Sequence, residues 1–171
     1  IEVDIATGFP TPEEAQNEVT SIAIYDQAGD QRFVWILDKD QVVENVQKPG
    51  YEVVSCHDEH TLLSKFLYRY YEIQPTIITG WNIDFFDIPY LVNRIKVRLG
   101  EDEIKKLSPW GSVFNADVFR MGRKHTAFDI VGISQLDYLE LYQKYTYTAQ
   151  ESYKLDHIGF VELGETKDDN P

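Results

Sequence analysis

The stretch 76–90 constrains this chain most. Thr76-Ile77-Ile78-Thr79-Gly80 is a short apolar run. It reads as a strand, and its lack of polar alternation predicts a buried, central place in a sheet. Ile88, Leu91, Val92, Ile95 and Leu99 then recur at helical spacing, with Pro89 in the first turn, where its missing N–H is tolerated. Trp81-Asn82-Ile83-Asp84-Phe85-Phe86-Asp87 joins the two. Open α/β sheets place ligands at the carboxyl ends of their strands, so Asn82 and Asp87 are candidate site residues. Taken singly, Asp87 reads as a helix N-cap, a common role for Asp. Asn82 alone reads as a turn residue and Trp81 as core.

The remaining pattern fits one domain over residues 1–171. Residues 19–25 and 32–37 are β-rich, and Asp26-Gln27-Ala28-Gly29-Asp30 between them is a hairpin signal. Residues 1–4 and 51–55 read as short strands. Asp58 is a good N-cap for a helix carrying Leu62, Leu63, Phe66, Leu67, Tyr70 and Ile73 on one face. Residues 113–121 and 126–130 predict a second hairpin; 136–145 and 153–163 predict helices. The order implies a mixed α/β fold, one sheet with helices around it.

The formal net charge of −13 opposes direct phosphate binding, which depends on Lys and Arg. An acidic chain acts on nucleic acid through metal-holding carboxylates or a basic neighbouring domain. Arg120, Arg123, Lys124 and His125 form the one dense basic cluster, at a hairpin tip. It reads as a DNA contact or as a solvated turn. Phe9, in Gly8-Phe9-Pro10, reads equally as a base-stacking ring or as cover for the core. His57 and His60 lack a third ligand and are expected at the surface. One cysteine, Cys56, excludes an internal disulfide, and no apolar run reaches membrane-spanning length.

Asn82, three residues, Phe86, Asp87 resembles the second exonuclease motif of the DEDD nucleases. The wider string 79–90 resembles that of family B DNA polymerases, nearest to those of T-even-like tailed phages. Asp137-Tyr138 with Tyr142, Ser152-Tyr153-Lys154-Leu155-Asp156, and Gly8-Phe9-Pro10 resemble further segments of that family, in order. The resemblance implies a ribonuclease H-like fold with an additional β-hairpin. It implies a 3′→5′ proofreading exonuclease that removes 3′-terminal nucleotides by two-metal hydrolysis. Glu2 takes the Glu position of the first motif, so Glu2 and Asp87 are the implied catalytic metal ligands, for two Mg²⁺ or Mn²⁺ ions. Phe9, Asn82, Phe86, Arg123 and Lys124 are the implied DNA contacts.

The first-motif Asp and the third motif, Tyr-x-x-x-Asp, have no match here. The chain is therefore expected to be a truncated domain lacking its C-terminal helices, and inactive by itself. Implied partners are a single-stranded or frayed primer 3′ end, the remaining polymerase domains and a sliding clamp, inside a cell (a bacterial host if phage-encoded), with no membrane contact. Two other readings stay open: a non-catalytic single-strand-binding or scaffold module, and a stand-alone DEDD exonuclease.

Overall fold

The hairpin signal at 26–30 forms a hairpin. Strands β2 (Val19–Asp26) and β3 (Gln31–Leu37) pair antiparallel, closing at Asp26 opposite Gln31. The computed structural model describes residues 1–120 and 123–166, with backbone alone at 117, 119, 120, 123 and 124. Strand β1 (Glu2–Val3) adds antiparallel to β2. On the other side, β5 (Tyr51–Cys56) runs parallel to β3, and β4 (Val46–Lys48), unmarked in the sequence, closes that edge. The result is a mixed five-stranded sheet in the order β1-β2-β3-β5-β4.

Helix α1 (Glu59–Ile73) crosses this sheet. Its predicted stripe is its buried face: Leu62, Leu63, Phe66, Leu67 and Tyr70 pack toward Trp35 and Phe33. The predicted cap is made, as the Asp58 carboxylate accepts from the Thr61 N–H at 2.7 Å. Helix α2 (Asp87–Leu99) buries Ile88, Pro89, Tyr90, Val92 and Ile95, and a 3₁₀ helix (Glu101–Leu107) follows. The predicted second hairpin forms from β7 (Val113–Arg120) and β8 (Arg123–Ile130). Its base is anchored by buried Phe128 and Ile130 and by Lys96 of α2 over the Phe128 ring. The layout is the ribonuclease H-like one, a mixed sheet flanked by helices with a hairpin added.

Three expectations need correction. Strand β6 (Ile77–Gly80) is not buried at the centre: Ile77 is 57% exposed, and among the described residues β6 pairs only with β9 (Ser134–Asp137), in parallel. A short apolar run records affinity for a sheet without recording how many neighbours cover it. Residues 134–137 are that strand, so the helix expected from 136 begins later, as α3 (Tyr138–Tyr145). Asp137 stops the strand and caps the helix, its carboxylate accepting from the Leu139 N–H at 2.9 Å. The last helix, α4 (Leu155–Leu163), starts two residues later than its periodicity suggested.

A buried ion pair locks these layers together. Glu59, 1% exposed at the start of α1, meets Arg94 of α2 in a two-pronged contact, both N–O distances 2.7 Å. Glu59 also accepts from the Val19 N–H of β2, and Arg94 donates to the carbonyls of Ala15 and Gln16. Arg98, half-exposed, adds a contact at 3.0 Å.

Removing one member of such a buried pair strands the other charge. Arg94→Met is expected to lower unfolding free energy by about 3–5 kcal/mol. Arg98→Ala, at the solvent edge, is expected to cost less than about 1 kcal/mol. Urea denaturation of the two variants checks the contrast; equal losses contradict it. The Asp58 cap predicts a pH effect. The Thr61 N–H holds the Asp58 carboxyl below its ordinary value. That stabilisation is present above the ordinary carboxylate range and is lost as pH falls through the depressed folded value. Asp58→Ala should therefore lower the urea midpoint more at neutral pH than in acid.

Candidate active site

The loop 81–86 carries the candidate residues from the end of β6 to the start of α2. Asn82 sits at φ 61°, a left-handed conformation Asn tolerates better than most residues. This reverses the chain so that the Asn82 carbonyl accepts from the N–H groups of Phe85 and Phe86, at 3.3 and 3.1 Å. The Ile83 carbonyl takes the Ile88 N–H at 2.9 Å, which seats the first turn of α2. Ile83 itself is buried and Gly80 lies against it: a Cβ there would stand 2.6 Å from the Ile83 Cγ2.

Asp87 is not the N-cap. Phe86 holds that position, and no side chain caps the helix. The Asp87 carboxylate, about a quarter exposed, is the first residue of α2, where the helix dipole favours negative charge. It accepts an ion-pair hydrogen bond from the Ile1 α-ammonium at 2.7 Å. The contact brings the backbone beside Glu2 against Asp87. Any residue before Ile1 would turn that ammonium into a neutral amide. Glu2 is exposed and stands opposite Ser21 in the sheet register. Among the described residues, no three of His, Cys, Asp and Glu gather as a metal cluster.

The aromatic candidates divide. Phe9 is 75% exposed, so it does not cover the core, and its ring meets Phe86 at 5.3 Å. Phe86 in turn meets Tyr90, making a row of three rings from the loop surface to buried Tyr90. Gly8 precedes Phe9 at φ 110°, a backbone that a residue with a Cβ rarely adopts. Asn17 ties that turn down by donating to the carbonyls of Asp4 and Gly8. The side chains of Arg123 and Lys124 lie outside the described residues. Their neighbour His125 meets Phe85 edge-on, which brings the β7–β8 hairpin against the loop. His57 is exposed and paired with Asp58.

Asp137, which in the sequence marks only a family-like segment, has a role at this loop. Only 3% exposed, its carboxylate accepts from the N–H groups of Asn82 (3.0 Å) and Asp84 (3.2 Å) as well as Leu139. An Asp directly ahead of a helical stripe is a cap signal, and it was available at Asp137-Tyr138-Leu139. Nothing local shows that the same oxygens reach a loop more than fifty residues away. Trp81 adds a second tie, donating from Nε1 to the Tyr153 carbonyl at 3.1 Å and packing on Tyr138 and Tyr142.

Comparison with known proteins identifies the family. Residues 1–158 match the family model for the exonuclease domain of DNA polymerase family B. The chain is 34% identical to the DNA-directed DNA polymerase of Escherichia phage RB69, over 100% of this chain and 22% of that protein. It is 31% identical to that of Enterobacteria phage T4, over 88% of this chain and 19% of that protein. The DNA polymerase delta catalytic subunit of Caenorhabditis elegans is 33% identical over 70% of this chain and 12% of its own length. The chain spans about a fifth of the length of the phage relatives.

The packing of Gly80 against Ile83 gives a test of how firmly the loop is seated. Gly80→Ala is expected to cost about 1–3 kcal/mol, the range for an extra methyl forced into packed surroundings. Thermal or urea unfolding of the variant measures it, and wild-type stability would mean that the loop gives way freely.

Proposed function

The chain belongs to the exonuclease domain family of family B DNA polymerases, and on that basis we propose that it is the proofreading part of a longer DNA polymerase. Its task is hydrolysis of the terminal phosphodiester at a single-stranded or frayed primer 3′ end. The observation that carries this reading is Asp87: a partly exposed carboxylate at a helix start, beyond a strand end, within hydrogen-bonding distance of the backbone nitrogen of the residue next to Glu2.

That donor set suits a hard divalent cation, which prefers carboxylate oxygens. Glu2 and Asp87 would hold Mg²⁺ or Mn²⁺, two ions in the complete site, with the family's other two acids supplied by adjoining chain. Divalent cations there would offset the negative charge that builds on the phosphate during hydrolysis. The chain's own residues bind and orient the strand. Phe9, exposed and backed by Phe86, offers a face on which a terminal base stacks. Asn82 lies beside the scissile end, and Arg123 and Lys124 at the hairpin tip would meet phosphates. The surrounding polymerase domains and a sliding clamp would supply most of the grip on DNA that a chain of net charge −13 lacks. No helix of the described residues is long and apolar enough to cross a membrane, and the reading places the protein inside the replicating cell, a bacterial host if it is phage-encoded.

The test uses the full-length polymerase. Asp87→Ala is expected to lower mismatch excision by at least about 10–100-fold, the loss that follows even from removing a group that orients a metal ligand, while primer extension and circular dichroism stay as in the wild type. Unchanged excision would remove Asp87 from the site. Joint loss of both activities and of the fold would make its role structural. The 171-residue polypeptide, holding two of the four acids, is expected to release no nucleotides from a single strand in Mg²⁺; robust digestion would contradict the ligand assignment.

A further inference from the structure

Three backbone N–H groups converge on one buried carboxylate at this site. Asp137 Oδ1 accepts from Asn82 and Leu139, and Oδ2 accepts from Asp84. Asp137 stands opposite Gly80 in the β6–β9 ladder, so it lies beside the point where β6 gives way to the loop. From there it grips the loop at two alternate residues, Asn82 and Asp84. The loop's own bonds pass that constraint forward. The Asn82 carbonyl holds Phe85 and Phe86, and the Ile83 carbonyl holds Ile88. Asp87 lies within that last turn, so the backbone at 82–84 sets where its carboxylate emerges.

We propose that Asp137 is a positioning residue for the exonuclease reaction, holding the loop 82–84 so that Asp87 is placed to take its metal. The inference rests on the nuclease reading above. The residue type is specific. A carboxylate offers acceptors at both oxygens, whereas Asn would turn an NH₂ toward one of the loop N–H donors. A buried acid whose partners are all backbone N–H groups is suited to fixing a backbone, and groups that orient metal ligands typically set metal affinity by about 10–100-fold.

The experiment compares wild type, Asp87→Ala and Asp137→Asn in the full-length polymerase. Mn²⁺ binding is followed by electron paramagnetic resonance, counting the ions lost in Asp87→Ala as those of the exonuclease site. Asp137→Asn is expected to weaken those ions by about 10–100-fold. The Mg²⁺ concentration for half-maximal excision should rise in parallel, while excision at saturating Mg²⁺ largely recovers and primer extension is unchanged. In the metal-free protein, amide hydrogen exchange across 81–87 should speed up. Wild-type Mn²⁺ affinity in a folded Asp137→Asn variant overturns the proposal, as does a loss of excision that no Mg²⁺ concentration restores. If Asp137→Asn does not fold, Asp137→Glu keeps both acceptor oxygens on a stem one methylene longer. It is expected to shift the metal titration in the same direction, and an unshifted titration overturns the proposal. A wild type that excises nothing overturns the nuclease reading itself, and this inference with it.

Discussion

Glu59 and Arg94 carry the architecture. Two charges taken out of water are tolerable only when their geometry is good and their remaining hydrogen-bonding positions are filled. Here they are: Glu59 takes the guanidinium, the Val19 N–H and a contact from Arg98, and Arg94 spends its other donors on the Ala15 and Gln16 carbonyls. One pair therefore joins α1, α2, the start of β2 and the segment leading into it. Tyr90 and Asn93, on the same helix, extend the grip to the carbonyls of Asn17 and Pro12. The segment that bears Phe9 is thus sewn to the helix that begins with Asp87. The exposed ring and the candidate metal ligand share one scaffold, although 78 residues separate them in sequence.

The acids of this chain divide by what surrounds them. Glu59 and Asp137 are buried, and their oxygens are occupied by N–H donors or a guanidinium. They act as structural acceptors. Asp87 is instead partly exposed, at a helix start beyond a strand end. A partly exposed carboxylate of this kind can take a cation from solvent. Residue type does not distinguish these roles; burial and the identity of the donors do.

Much of the local structure was legible. The stripe of α1, the Asp58 cap, both hairpins and the strand-loop-helix unit around Asp87 all follow from short-range pattern, because each depends on neighbours within a turn or two. The string from Thr79 to Tyr90 also marked the family by resemblance. Less legible were β4, too short to show a period, and β9, whose four residues merged with the helical stripe that follows. The exposure of β6 depended on which strands lie beside it, information that its own four residues do not hold.

Sequence by itself determined the mixed α/β character and the loop between strand and helix, since these are written in contiguous residue types, and it offered Glu2 and Asp87 as candidate acids through their resemblance to the family's motifs. Tertiary structure alone decided that Asp87 is not a cap, that Phe9 faces solvent, that Asp137 holds the loop ahead of Asp87, and that the Glu59–Arg94 pair joins the two helices. The physical reason is range. Periodicity and capping are set by residues a few positions apart, whereas a buried carboxylate draws its partners from wherever the folded chain brings an N–H or a guanidinium within hydrogen-bonding distance.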